Sequence, residues 1–246
     1  MPEKWKPSIV RAIEWRSEVG VGASGAVFVT LDAVGKFDVD PAVTACVAAE
    51  YVCNRLAIAC GLPVPGASLT RRADGTAAFT SIRFGSLTQL PAPVVAADLA
   101  ADYPDLTAGI VAFDAWTLNR DRNSGNVAYI HGAQPPMIFD HDCCLNGKDR
   151  PSITRLSDDL QTLLPANHCL AKHLATAAAL DRWTHTLAGV QPRVWQTPLR
   201  ELRAARLLAA AEQVVLMGEQ RRIGGSRIRR RPVLAEALMD QCKQFP

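Results

Sequence analysis

The chain has 246 residues, of which 48% are hydrophobic and 21% charged, and its formal net charge is +3. That length holds a substantial core in one large domain or two lobes, and the composition excludes a disordered or fibrous chain. No apolar run approaches the roughly 18 residues of a membrane span, residues 1–6 lack an apolar leader, and seven cysteines without a C-x-x-C pair fit a reducing cytoplasm rather than a disulfide framework.

Residues 10–19 alternate loosely, with Ile13, Trp15 and Ser17 on one side, and read as a strand. Gly20-Val21-Gly22-Ala23-Ser24-Gly25-Ala26-Val27 then fills every fixed position of G-x-G-x-x-G-x-V. The residues that follow are strand formers, so the strand reading covers 26–37 and carries Lys36. A glycine loop between two strands differs from the dinucleotide-binding fingerprint, which needs a helix after it. It suits backbone amides closing over nucleotide phosphates, with a plain Gly-rich hairpin as the alternative. Next, Asp40 can cap a helix, Pro41 suits its first turn, and Gly61 ends it. Val43, Cys46, Glu50, Cys53, Ala57 and Cys60 share one face of it, and Glu50 is the only charge on that face. A buried carboxylate without a partner is costly, which predicts a pair with Lys36 from the neighbouring sheet. A Glu50 turned to the edge and solvated is the alternative.

Strands near 66–72 and 76–83 flank Asp74-Gly75, a hairpin signal. Phe84-Gly85-Ser86 and Pro91/Pro93 read as a hinge near 82–90 that crosses to a second lobe. Helices are expected near 94–101 and 105–118. A loop at 119–126 follows, then a hairpin of 127–130 with 137–140 turning at 131–136, then helical sequence over 155–220 with Ala- and Leu-rich stretches at 170–180 and 199–217.

The loop carries the chemistry. Asn119-Arg120-Asp121-Arg122-Asn123-Ser124-Gly125-Asn126 places an Asp and an Asn five residues apart, and Asp140 lies fourteen beyond Asn126. This is the base-and-metal constellation of a protein-kinase-like phosphotransferase. Asp121 suits a base for an attacking hydroxyl, while Asn126 and Asp140 offer a neutral and a charged oxygen to a magnesium ion, a hard cation. An Asx-rich turn is the plainer alternative.

In order, the chain shows the Gly loop, Gly35-Lys36-Phe37, the helix with Ala-Ala-Glu50-Tyr-Val-Cys-Asn-Arg-Leu-Ala, Gly-Leu-Pro-Val-Pro at 61–65, Arg83-Phe84-Gly85-Ser86, the N-x-D-R-x-x-x-N loop and Ile138-Phe139-Asp140-His141-Asp142. From about residue 19 to 144 it resembles the small HipA-like kinases, distant relatives of the phosphatidylinositol 3/4-kinase-like and protein-kinase-like enzymes. The resemblance implies an α+β, two-lobed kinase fold. Residues 1–90 would form an N-lobe of antiparallel sheet plus one helix, and 91–246 a mainly helical C-lobe. It implies ATP and Mg2+ as cofactors and phosphorylation of a hydroxyl, most often a protein Ser or Thr, in a growth-regulating toxin with an antitoxin or other regulatory partner. Lys36, Glu50, Asp121, Asn126 and Asp140 match the family pattern one by one. Gly20, Gly22, Ser24 and Gly25 would cover the phosphates, and the hinge at Ile82 and Phe84 would take the adenine. Arg120 or Arg122, with Arg122 favoured by the resemblance, would steady the transferring group or the loop. A phosphate on Ser24 would repel ATP and switch the enzyme off, a reading abandoned if mass spectrometry after ATP incubation finds none there. The family's Asp-His-Gly reads Asp140-His141-Asp142 here, so Asp142 becomes a further metal-ligand candidate and a flexible hinge is lost. The extra N-terminal structure of full-length HipA toxins does not fit in this length, so a minimal stand-alone member is expected.

His168 and His173 are five apart, which does not place them on one helix face, and His131 and His185 lack ligand spacing for zinc. His141 is expected to orient Asp140. Cys46, Cys53 and Cys60 read as small core residues, and Cys143-Cys144 as packing under the metal loop. Arg221, Arg222, Arg227, Arg229, Arg230 and Arg231 add +6 with no acid among them, which leaves −3 for the remainder of a +3 chain. This segment reads as a solvated basic tail or a contact for nucleic acid, an acidic partner or anionic lipid. Two functional rivals stay open: a small-molecule or lipid kinase, or nucleotidyl transferase, on the same fold; and an inactive nucleotide- or partner-binding module.

Overall fold

A computed structural model describes residues 12–18, 27–84, 92–130, 134–145, 147–152, 164–174 and 176–222. Strands β1 (Ala12–Glu18) and β2 (Val27–Leu31) pair antiparallel, with Ala12 opposite Leu31 and Glu18 opposite Val27. The Gly loop expected between them lies outside the described residues. The single strand expected over 26–37 is divided at Asp32 into β2 and β3 (Ala33–Lys36). Asp is a poor strand former, and here both its groups face Arg83. Its carbonyl accepts Arg83 N–H at 3.0 Å, and its carboxylate takes Arg83 Nη1 at 3.1 Å.

Strands β4 (Ala67–Arg71) and β5 (Ala77–Ile82) form the expected hairpin, turning through Gly75 at φ 84°. Asp74 holds that turn by accepting the Thr76 N–H at 2.8 Å. β5 also pairs with β3, giving an antiparallel sheet in the order β3-β5-β4 with Lys36 opposite Phe79.

Helix α1 (Cys46–Ala59) begins later than Asp40 and Pro41 imply. Asp40 closes a separate turn instead: its carbonyl accepts the N–H groups of Val43 and Thr44, and its carboxylate accepts Ala42 N–H. Asp38 is the acid at the helix start, with Oδ1 3.4 Å from Val47 N. Gly61, at φ 76°, ends α1 where it was expected to, and Leu62 N–H reaches back to Ala57 O. The helix is not one-sided. Val47, Ala49, Tyr51, Val52, Asn54 and Leu56 are buried beside Glu50 and Cys53, while Val43 is 56% exposed. Its position between the sheet and a C-lobe helix accounts for this. Cys53 and Cys60 are buried as expected, and Cys46 is half-buried.

The C-lobe opens with α2 (Ala96–Asp102) and α3 (Pro104–Thr117); α3 is buried from Thr107 through Thr117. A 3-10 turn at Ser124–Asn126 leads into the hairpin β6 (Val127–Ile130) and β7 (Gln134–Ile138). The expected helicity from 155 onward is interrupted. Residues 153–163 lie outside the described set, and Ala171–His173 is only a 3-10 turn. Thr176 then caps α4 (Ala177–Ala188) by accepting Ala179 N–H at 3.4 Å. α5 (Pro192–Ala204) and α6 (Ala210–Arg222) replace the run expected at 199–217, because Arg206 turns into the left-handed region at φ 62°. The basic segment beyond Arg222 and the proposed lobe boundary at 90/91 both lie outside the described residues. Among the described residues no helix is long and apolar enough to cross a membrane.

The core runs through Phe113, Trp116, Leu180, Trp195 and Leu199, with Trp116 and Trp195 edge-to-face at 5.2 Å. It continues into α1, where Tyr51 donates its hydroxyl to Glu201 of α5 at 2.6 Å.

Candidate active site

Three elements bring Lys36, Glu50 and Asp140 together. Lys36 ends β3, Glu50 sits in the first turns of α1, and Asp140 follows β7. Lys36 Nζ donates to Glu50 Oε1 and to Asp140 Oδ1, each at 2.5 Å, and lies 3.9 Å from Asp142 Oδ2. The pairing expected from the lone charge on α1 is therefore present, and the solvated alternative for Glu50 is not: its side chain is 2% exposed.

The electrostatics follow from crowding. Burial pushes the Glu50 carboxyl up, but the His141 imidazole and Lys36 ammonium beside it outweigh that and hold it down to about 2. Burial disfavours the charged Lys36, yet Glu50 and Asp140 raise it well above the ordinary lysine range. Asp140 goes the other way. Burial raises its carboxyl most, Lys36 relieves part of that, and the smaller contributions of Asp142 and Glu50 add to the rise, so the net direction is upward. Lys36 faces three carboxylates whose ligand atoms all lie within 4.8 Å of one another, and with Lys148 on Asp142 the cluster keeps one negative charge in excess.

Asp140 adopts φ 59°, a left-handed conformation that costs a non-glycine residue about 1–3 kcal/mol. His141 does not orient Asp140 as expected. Its Nδ1 lies 3.8 Å from Glu50 Oε2, and its ring packs edge-on to Phe113. Asp142 also takes Lys148 Nζ at 3.2 Å, a contact that sequence reasoning missed.

The loop carrying Asp121 and Asn126 is braced from within. Asn119 Oδ1 accepts Asp121 N–H at 3.0 Å, and Asn123 Nδ2 donates to Asp121 Oδ1 at 2.9 Å. Asn126 Nδ2 donates to the Asp121 carbonyl at 2.7 Å, so the amide oxygen of Asn126 faces away from that carbonyl. Arg122 Nη1 joins the loop to the Asp140 strand, donating to Asn126 O at 2.9 Å and to Phe139 O at 2.8 Å.

Arg122 is fully buried, so of the two roles expected for it, steadying the transferring group or the loop, the geometry provides the second. Its partner is Asp114 of α3, with Nε to Oδ2 at 2.8 Å and Nη2 to Oδ1 at 3.0 Å. Asn119 Nδ2 and His168 Nε2 complete the ring around Asp114 at 2.8 and 3.1 Å. Burial pushes the Asp114 carboxyl up, but Arg122 and His168 override it and hold it well below the usual carboxylate range. Asp114 and His168 were missed from the sequence. The available signal was a lone acid in the apolar run Phe113-Asp114-Ala115-Trp116.

Gly20, Gly22, Ser24 and Gly25, the loop expected to cover the nucleotide, lie outside the described residues. Ile82 ends β5 opposite Ala33, and Phe84 meets Phe139 edge-on at 5.3 Å, one residue from Asp140. The residues fit a hard divalent cation. The carboxylates of Glu50, Asp140 and Asp142 gather around a net negative charge, and Asp140 and Asp142 are the partly exposed members open to a cation.

No protein-family model matches the sequence, and no curated protein sequence matches it. Among solved structures, the chain is similar to the crystal structure of the Helicobacter pylori proinflammatory kinase CtkA. The TM-score is 0.54 at 12% sequence identity, over 96% of this chain and 99% of that one. At that identity the likeness is one of fold. The protein has an α+β kinase-like fold, with antiparallel strands and α1 on one side and a mainly helical lobe on the other.

Proposed function

We propose that the protein is an ATP- and magnesium-dependent phosphotransferase that moves the γ-phosphate to a hydroxyl, with protein Ser or Thr side chains as the acceptor class. The observation that carries this reading is the bridge of Lys36 between Glu50 and Asp140, made by residues 104 positions apart in sequence. When bound, magnesium-ATP supplies an electrophilic phosphorus and a metal that shares the charge developing on the phosphate oxygens.

The chain's own residues divide the remaining work. Lys36 has three N–H donors and gives one each to Glu50 and Asp140, so a third is left for a phosphate oxygen. Glu50, buried and ionised, fixes the ammonium in place. Asp140, Asp142 and the Asn126 amide oxygen would hold the metal. Asp121 has Oδ1 committed to Asn123, which leaves Oδ2 to accept the acceptor's hydroxyl proton. Arg122 and Asp114 act as positioning residues that keep the Asp121–Asn126 loop in register with Asp140. Most of the rate enhancement in such a site comes from positioning and charge stabilisation.

The test is incubation of purified protein with magnesium and γ-labelled ATP, with and without cell extract, beside Asp121→Ala and Asp140→Ala. Label on the protein or on an extract band, reduced about 100-fold or more in both variants, supports the reading. Transfer that survives either variant, or no magnesium-dependent nucleotide binding at all, overturns it.

A further inference from the structure

Away from Lys36, Asp121 and Asp140, the segment that joins β3 to α1 meets the turn between α5 and α6 around a cavity of about 460 Å³. Arg150, Arg203 and Arg206 line it, with one acid, Asp38, and apolar walls that include Pro41 and Leu207. With Arg150 neutralised by Glu212, the three guanidinium groups and the Asp38 carboxylate leave one positive charge in excess. Asp38 is 6% exposed, and its carboxylate is directed to Val47 N–H at the start of α1. Arg150 is committed to Glu212, and Arg203 Nη1 donates to the neutral side chain of Gln213 at 3.2 Å. Arg206 makes no side-chain hydrogen bond or ion pair among the described residues.

Arg206 carries a second, independent observation. It occupies the left-handed position after α5, with Arg206 N–H bonded to Arg203 O and Leu207 N–H to Leu202 O. Helix ends of this kind favour glycine, because a side chain is strained there. The chain instead places an arginine on the strained turn and directs it to a cavity already lined by two others. Strain of this kind is a pointer to function when the side chain has a task that glycine cannot perform. Planar guanidinium forks match phosphate oxygens in pairs, and the volume suits a small molecule.

We propose that this cavity is a second ligand site for a small phosphorylated anion, with Arg203 and Arg206 as its main contacts. Its occupant touches the segment between Lys36 and Glu50 on one side and the α5–α6 turn on the other, so binding stiffens the join between the two lobes. The proposal does not depend on phosphotransfer.

The experiment is calorimetric titration of the full chain with inorganic pyrophosphate in EDTA at constant ionic strength, with sodium chloride as the control, beside thermal melts. The parent should bind pyrophosphate and melt higher in its presence. Arg206→Gly should melt at or above the parent without ligand, since the turn is relieved, yet bind pyrophosphate about tenfold more weakly, the worth of one charge-assisted contact. Arg203→Gln on the exposed face of α5 should weaken binding in the same way. Parent-like affinity in Arg206→Gly and Arg203→Gln assigns the anion to another site and overturns the proposal, as does a parent that responds to pyrophosphate no more than to chloride.

Discussion

At Lys36 one ammonium is shared by Glu50 and Asp140, and each neighbour has a different consequence. Replacing it by methionine strands the buried Glu50 carboxylate. Breaking a buried pair costs about 3–5 kcal/mol, and Lys36→Met should fall toward the lower end because its side chain is 32% exposed. An unchanged urea midpoint would mean that Glu50 finds another partner. The pH dependence has a definite sign. Glu50 is held near 2 in the folded chain against an ordinary 4.5, so its stabilisation is complete above 4.5 and disappears as pH falls toward 2. Denaturation midpoints between pH 6 and 3 should therefore fall in the parent more steeply than in Glu50→Gln. Asp140 separates folding from chemistry. Asp140→Gly relieves the left-handed strain, so the variant should be as stable as the parent or about 1 kcal/mol more so, while phosphotransfer falls at least 100-fold. A loss of stability in that variant contradicts the strain assigned to φ 59°.

Between elements, the buried Arg122–Asp114 pair joins α3 to the loop and to β7. Lysine cannot reach both carboxylate oxygens and both carbonyls at once, so Arg122→Lys should lose about 2–4 kcal/mol and lower turnover more than nucleotide affinity. Equal losses in turnover and affinity would remove its positioning role. The contact of α3 with α4 is equally exacting. A Cβ on Gly109 would lie 2.4 Å from Trp183 Cε2, so Gly109→Ala should cost about 1–3 kcal/mol in chemical denaturation. Much of this framework was legible beforehand, for physical reasons that differ by element. The β4–β5 hairpin is written in Asp74-Gly75, and the end of α1 in Gly61, because positive φ favours few residue types. The start of α1 was misread because Asp40 closes a separate turn and Thr44 pairs with Asp149, so the helix begins only at Cys46, after Ala45, without a side-chain cap. The break at Arg206 carries no glycine and left no local mark. Lys36, Glu50 and Asp140 were legible because their chemistry demands one another, whereas Asp114 and His168 support the site from beneath and show no spacing pattern.

Across the whole molecule, the helix that carries Glu50 is fastened to the C-lobe. Tyr51 bonds Glu201, Ala45 N–H bonds Lys148 O at 2.8 Å, Thr44 bridges Asp149, and Arg150 donates to Pro41 O at 3.0 Å while holding Glu212. The two lobes should therefore unfold together. Tryptophan fluorescence, to which Trp116, Trp183 and Trp195 contribute from the helical lobe, and far-ultraviolet circular dichroism should trace one urea transition, and separated midpoints would show independent lobes. The same fastening relocates the axis of any cleft motion. If α1 travels with the C-lobe, opening the cleft slides the sheet β3-β5-β4 across a stationary helix, and the Lys36–Glu50 separation becomes the gauge of how far the cleft is open. A pair of spectroscopic labels on the sheet and on α1 would then report that motion, while a pair on α1 and α5 would stay silent.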